Sequence, residues 1–427
     1  MAMDSHQPST TTLIVLSYPN AREEASKIYI QYIPSTKATS FAMGVTQGLC
    51  DPAFNRVRDI LEQRLASGEE VGASICVNID GKNALDIWGG HADAAKTRSW
   101  EEDTLIVVFS CSKIVTALAA LILIDRGLLD VEEKVSKYWP EFAANGKEDT
   151  KVWHILSHSS GVPHWDWRIP LESIYDIKTS TEMLAAQAPW YKAGEAPAYQ
   201  IVNHGHLVGE LVQRISGKSL KQFIADEIAG PLGADFGLGV AEKDWPRTAD
   251  IIPCAPTVFP PLDPQSVAGK ALPNLIMNAE DAQTPAFRGA GVGGANGFSN
   301  ARALARIGSI VSLQGTVEGK QYLGFKTIDQ MLQERVSGID QMLMFHIRFG
   351  LGVGLPVPES LTFIPEGNIC FWGGWGGSMV VMDLGRRMTI AYTMNKMGPG
   401  IVGNENAKGY IEAIYEIMAE NKPSTSI

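Results

Sequence analysis

The stretch "VFSCSKIVTALAALILIDRG", residues 108–127, decides how the rest of the chain is read. It opens with a Ser-x-x-Lys step, Ser110 to Lys113, and continues as a helix-forming run that is apolar nearly all round until Asp125-Arg126. Such a run marks a buried central helix, closed here by Gly127. Residues three apart share a helix face, so Lys113 is laid beside the Ser110 hydroxyl. Burial penalises the ammonium and lowers the lysine pKa, and a neutral amine accepts the serine proton. Free N–H groups at the helix start favour negative charge on or near the serine oxygen. The pair therefore has the chemistry of a nucleophile with its base. Chance yields about one such spacing in a chain of this length. This is the single Ser-x-x-Lys of the sequence, however, and it stands at the mouth of the most apolar helix.

On the N-terminal side, "DPAFNRVRDILEQRLASG" brings Phe54, Val57, Ile60, Leu61 and Leu65 to helical spacing, with Gly68 as terminator. "VGASICVNIDGKNALDIWGG" gives two strand-like runs around Asp80-Gly81, a dipeptide suited to a tight hairpin turn. On the C-terminal side, helical patterns such as "YQIVNHGHLVGELVQRISG" and "SLKQFIADEIAG" alternate with loops rich in Pro and Gly. From about residue 345, "HIRFGLGVGL", "NICFWGGWGGSMVVMDL" and "RMTIAYTMNKM" read as strands, and "GYIEAIYEIMAE" as a closing helix. Strands at both ends are expected to join one sheet in an α+β fold. The division expected is an N-terminal extension over 1–48, an α/β sheet domain from 49–130 and 345–427, and a mainly helical inserted domain over 131–344.

The net charge of -11 and pI near 5.3 disfavour nucleic acid or an anionic membrane as partner, since both demand clustered Lys and Arg. The five cysteines are scattered and free of any C-x-x-C step, which points to neither zinc nor a disulfide framework and to a reducing compartment. The N-terminal stretch lacks a basic region and a long apolar core, and no charge-free apolar stretch reaches the length of a membrane span. A cytoplasmic location is the expectation. His158, His164, His204 and His206 lack metal-ligand spacing and carboxylate company, so they are read as structural or pocket-lining. No metal and no cofactor are expected.

Acyl transfer at Ser110 needs a proton shuttle and oxyanion donors. Tyr199, in "EAPAYQIVNHG", offers a phenol, and the glycines of "FWGGWGGS" (371–378) let a strand edge approach a substrate, with the N–H of Trp375 facing the oxyanion. No G-x-S-x-G is present to support an α/β-hydrolase nucleophile elbow.

Together with "NIDGKNALDIWGG", "WHILSHSSGVP" and "PAFRGAGVGGANGFSNARALARI", these segments resemble the serine β-lactamase-like superfamily from about residue 48 to 420. That superfamily includes class C β-lactamases and penicillin-binding proteins, and the likeness is strongest to family VIII carboxylesterases. The resemblance implies an antiparallel sheet flanked by helices plus a mainly helical domain, with the active site in the cleft between them. It implies Ser110 as the acylated nucleophile, Lys113 as general base and Tyr199 as the catalytic tyrosine, although Gln200-Ile201 departs from the Tyr-x-Asn pattern of class C enzymes. Trp372-Gly373-Gly374 occupies the place of the Lys-Thr-Gly motif, as in family VIII esterases, and with Trp375 forms the expected oxyanion and substrate-binding segment. An indole cannot hold a substrate carboxylate as that lysine does. The function expected is therefore hydrolysis of small-molecule esters or thioesters through an acyl-serine, with β-lactamase or DD-peptidase action demoted. The alternatives are an acyltransferase of secondary metabolism, passing an acyl group from a small-molecule donor or an acyl carrier to a metabolite alcohol, and a non-catalytic binding protein of the same fold.

Overall fold

Residues 46–255 and 261–420 are described by the computed structural model. Most of the expected N-terminal extension, residues 1–45, lies outside the described residues. The chain enters through β1 (Gln47–Cys50) and α1 (Asn55–Ser67), whose apolar face buries Val57, Leu61 and Leu65 and which Gly68 closes. A hairpin follows, β2 (Gly72–Ile79) and β3 (Lys82–Gly90). Its turn places Asp80 and Gly81 at φ 50° and 82°, the twist that two-residue hairpins require and that Gly supplies without strain. Next come β4 (Ile106–Phe109) and α2 (Ser112–Asp125), then α3 (Ile177–Ala186) and α4 (His204–Ser216). The chain continues through β5 (Gly237–Leu238), β6 (Gly297–Ser299), α5 (Ala301–Ser312), and the small pair β7 (Thr316–Val317) and β8 (Lys320–Gln321). It returns to the sheet with β9 (Val336–Ile339), β10 (His346–Phe349), β11 (Gly354–Leu355), β12 (Ile369–Gly373), β13 (Met379–Asp383) and β14 (Met388–Met394), and ends in α6 (Glu405–Glu420).

Among the described residues, nine strands make one antiparallel sheet in the order β1-β3-β2-β14-β13-β12-β11-β10-β9. The N-terminal and C-terminal strands meet between its third and fourth positions, where Ser74 of β2 stands opposite Thr393 of β14. The sheet takes in Gln47 and Gly48, ahead of residue 49, and Val336–Ile339, ahead of residue 345. Successive side chains of a strand point to opposite faces, and here both faces are covered. Thr393 shares a hydrogen bond with Ser74, whose hydroxyl accepts the Ala301 N–H at the start of α5. Its neighbour Tyr392 points the other way and donates to Glu70, beside α6. Double coverage explains why β2 is buried from Gly72 to Asn78 rather than alternating.

Helix α2 packs against α4, and its residues from Ser112 to Leu123 are all buried. Gly127 follows at φ 69°, and the Leu128 N–H reaches back to the Leu123 carbonyl at 2.9 Å, so the helix ends where the sequence places its glycine. The expected helix around Tyr199 begins later, at His204. Tyr199 itself lies in irregular chain ahead of α4. Among the described residues no helix is long and apolar enough to cross a membrane.

Candidate active site

Strand β4 runs straight into the turn that carries Ser110. Phe109 pairs with Gly297 of β6, yet it adopts φ 41°, a left-handed conformation that costs a bulky residue about 1–3 kcal/mol and persists only where surroundings enforce it. The enforcing group is Ser112: its hydroxyl donates to the Phe109 carbonyl and accepts the Gly297 N–H at 2.8 Å. This bend delivers Ser110 at the entrance of α2, 5% exposed.

One helical turn on, Lys113 is 1% exposed, and its amine has three oxygen neighbours. They are Ser110 Oγ at 3.1 Å, the Ile201 carbonyl at 2.7 Å and the Gly294 carbonyl at 2.7 Å. None is a carboxylate. Burial holds the lysine pKa well below its ordinary value of 10.5. A neutral amine satisfies this geometry fully: its two hydrogens go to the two carbonyls, and its lone pair is left facing the serine hydroxyl.

The Gly294 carbonyl is placed by a close crossing of chains. The Thr116 hydroxyl of α2 donates to the Gly293 carbonyl at 2.8 Å, and on the other side a Cβ at Gly205 of α4 would collide with Gly294 N and Gly293 C. Gly205→Ala must therefore push the Gly293-Gly294 segment off Lys113. The expected result is a loss of about 1–3 kcal/mol in stability by overpacking, together with lower turnover. Denaturant titration beside an ester assay measures both.

Tyr199 is fully buried, with its ring 4.7 Å from the Lys113 amine. Burial raises its phenol above the ordinary value of 10, and hydrogen bonds with Ser110 and Trp372 offset this only in part. The phenol thus keeps its proton at neutral pH. Trp372 sits at 1% exposure and donates its indole N–H to the Tyr199 oxygen at 3.1 Å. Its ring turns inward among Tyr199, Phe349 and His158. The sequence reading expected this indole in the substrate-binding segment; the structure lays it behind the tyrosine. His158 lies against His204, with ring centroids 4.4 Å apart. Burial holds His158 well below 6.5 and His204 at about 3, so both rings are neutral. His164 and His206 bond to the Trp165 and Ile174 carbonyls.

Past Gly373, the chain bends at Gly374, where a Cβ would strike the Val108 carbonyl. This close approach lays Trp375 beside the nucleophile turn, its ring 5.4 Å from that of Phe109. Among the described residues, neither the Ser110 N–H nor the Trp375 N–H has a hydrogen-bond acceptor. The structure thus gathers Ser110, Lys113, Tyr199, Trp372 and the Gly373–Trp375 bend in one place. The sequence reading missed the Ile201 and Gly294 carbonyls and the strained Phe109. The paired glycines of "GVGGANG" were the available signal for the second of these.

The family model described as Beta-lactamase matches residues 57–413. "Esterase/beta-lactamase LipL" of Mycobacterium tuberculosis is 28% identical over 397 residues, 87% of this chain and 88% of that protein. A crystal structure of a family VIII carboxylesterase is 34% identical, with a TM-score of 0.81 over 87% of this chain and 100% of that one. A penicillin-binding protein homologue from Caulobacter crescentus is 30% identical, with a TM-score of 0.79 over 87% of this chain and 100% of that one. With a match that runs from α1 to α6 and spans the Ser110–Lys113 turn, the chain belongs to the Beta-lactamase family and has its α+β, transpeptidase-like fold.

Proposed function

We propose that this protein is a serine esterase that cleaves neutral small-molecule esters or thioesters through an acyl-Ser110 intermediate. The observation that carries the reading is the Lys113 amine, buried without an acidic partner among the described residues and 3.1 Å from Ser110 Oγ. A lysine in bulk water is a cation and accepts nothing; this one faces the hydroxyl with a lone pair. Ser110 Oγ attacks the carbonyl carbon as its proton passes to Lys113 Nζ. The oxyanion that forms is taken up by the N–H groups of Ser110 and Trp375. The bond to the leaving oxygen or sulfur then breaks, and the proton reaches that atom from Lys113 by way of the Tyr199 hydroxyl. Because its phenol is held above its usual range, Tyr199 acts as a proton-bearing relay rather than as a phenolate base. Water, deprotonated along the same route, releases the acid from Ser110.

Trp372 supports a neutral substrate, since its uncharged indole, turned inward onto Tyr199, takes the place of the Lys-Thr-Gly lysine and brings no cation for a substrate carboxylate. The esterases among the relatives agree with this reading. Incubation with a chromogenic short-chain ester, followed by rapid acid quench and mass spectrometry, should place the acyl group on Ser110. Ser110→Ala should carry no acyl group and lose turnover by a factor on the order of 10⁴ or more. Undiminished turnover in that variant would sink the reading.

The burial of Ser110, 5% exposed, favours a second reading in which an alcohol replaces water as acceptor. Product partition separates the two. Ester formation that persists against excess water marks a transferase, and the free acid alone marks a hydrolase.

A further inference from the structure

Tyr199 has no helix or strand to hold it, because α4 begins only at His204. Backbone amides in buried irregular chain must find partners elsewhere. Here three successive N–H groups are taken by two residues from distant parts of the chain. Ala198 N–H donates to the His158 carbonyl at 2.9 Å, Tyr199 N–H to Asp340 Oδ1 at 3.1 Å, and Gln200 N–H to His158 Nδ1 at 3.2 Å. We propose that Asp340 is a positioning residue for Tyr199: with His158 it clamps the amides on either side of the phenol and so fixes the Tyr199 hydroxyl against Ser110.

The placement of Asp340 fits this role better than that of a carboxylate serving only its own turn. It follows β9, is fully buried, and uses the same Oδ1 to accept the N–H groups of Met342 and Leu343, each at 2.8 Å. One oxygen therefore ties the β9–β10 connection to the tyrosine segment. A second link, Gln341 N–H to the Pro197 carbonyl at 3.0 Å, runs beside it. His158 completes the clamp from the other side. It holds a left-handed φ of 58°, and its ring lies 4.9 Å from that of Tyr199. A phenol at the end of a long rigid side chain turns a small tilt of the backbone into a shift of about 1 Å at the hydroxyl, enough to cost up to roughly 100-fold in rate.

The inference rests on the acyl-serine reading given above, and the experiment separates the two. kcat and KM for a chromogenic ester are compared in the native protein, Asp340→Ala, Asp340→Asn, Tyr199→Phe, and the double variant Tyr199→Phe/Asp340→Ala. Asp340→Ala should lower kcat by about 10- to 100-fold with KM within about twofold. Asp340→Asn keeps an Oδ1 acceptor for all three N–H groups and should retain kcat within about threefold. With the Tyr199 hydroxyl already removed, Asp340→Ala should cost less than about a further twofold, because coupled residues are not additive. A merely structural aspartate would instead lower kcat equally in both backgrounds, and that outcome overturns the clamp. Full kcat in Asp340→Ala, with Tyr199→Phe impaired, also overturns it while leaving the acyl-serine reading intact. Full kcat in Tyr199→Phe overturns the relay role and the clamp with it. Should circular dichroism show Asp340→Ala to be unfolded, Asp340→Glu takes its place, since the added methylene moves the acceptor without removing it.

Discussion

Lys113→Met lowers the turnover of a neutral ester by about three orders of magnitude, the loss expected when a positioned general base is removed from its nucleophile. Met matches the length and apolar stem of the lysine but offers the Ser110 hydroxyl no lone pair. Lys113→Arg fails as well, because a guanidinium stays charged and cannot take a proton. The stability of Lys113→Met carries the second half of the expectation. With its folded pKa held well below 10.5, the lysine binds its proton less tightly in the fold than in the unfolded chain. Stability therefore rises with pH between the depressed value and 10.5, and within that window the native chain bears the cost of giving up that proton. Against this, Met leaves the Ile201 and Gly294 carbonyls without a donor, at roughly 1–3 kcal/mol each. The discriminating quantity is the slope: from pH 7 to pH 10, native protein should gain stability relative to Lys113→Met in denaturant titrations. A difference that does not change with pH would mean that the amine is charged in the fold.

Glu70→Gln has the largest expected effect on stability alone. Glu70 is fully buried between α1 and β2. Its Oε1 accepts from Tyr392 at 2.6 Å, Asn406 at 3.0 Å and Tyr410 at 3.4 Å, while Oε2 has no partner among the described residues. Burial pushes its pKa from 4.5 to about 7, outweighing the hydrogen bonds and Arg64 that favour the carboxylate. Here the fold binds the proton more tightly than the unfolded chain does. The stability that Glu70 contributes is full below 4.5, falls as pH rises from 4.5 to 7, and above 7 is lower by an amount on the order of 3 kcal/mol. Gln keeps the accepting oxygen and carries no charge. The variant should be more stable than native protein at pH 8, with little difference at pH 4.5, and urea titrations at the two values test this. Equal pH slopes in the two proteins would show that Glu70 does not titrate in this window.

Features that depend on near neighbours were legible in the sequence. The Asp80-Gly81 turn, the Gly68 and Gly127 helix ends, and the lysine one turn after Ser110 each follow from spacing within a few residues. The burial of Lys113 was legible too, because a helix apolar on every side has no solvent face to which the amine could escape. What escaped notice is joined by residues far apart. His158 and Asp340 meet at Tyr199 from opposite directions, and neither carries a local pattern that announces it. The direction of the Trp372 indole depends on which face of β12 looks toward Tyr199, and a motif between glycines does not state this. The strain at Phe109 was hidden for another reason: an apolar, aromatic residue closing a strand gives no hint of a left-handed φ, which is imposed by Ser112 and Gly297.

The pairing of β2 with β14 has a consequence for how the protein is made. Ser74 and Thr393 stand 319 residues apart along the chain, so a ribosome adding about 5–20 residues per second leaves β2 without its central neighbour for roughly 15 to 60 s. During that interval an edge of apolar strand is open to other nascent chains, and the bend at Gly373–Trp375 has yet to reach Ser110. Newly made protein should therefore depend on chaperones and stay inert until translation is nearly over.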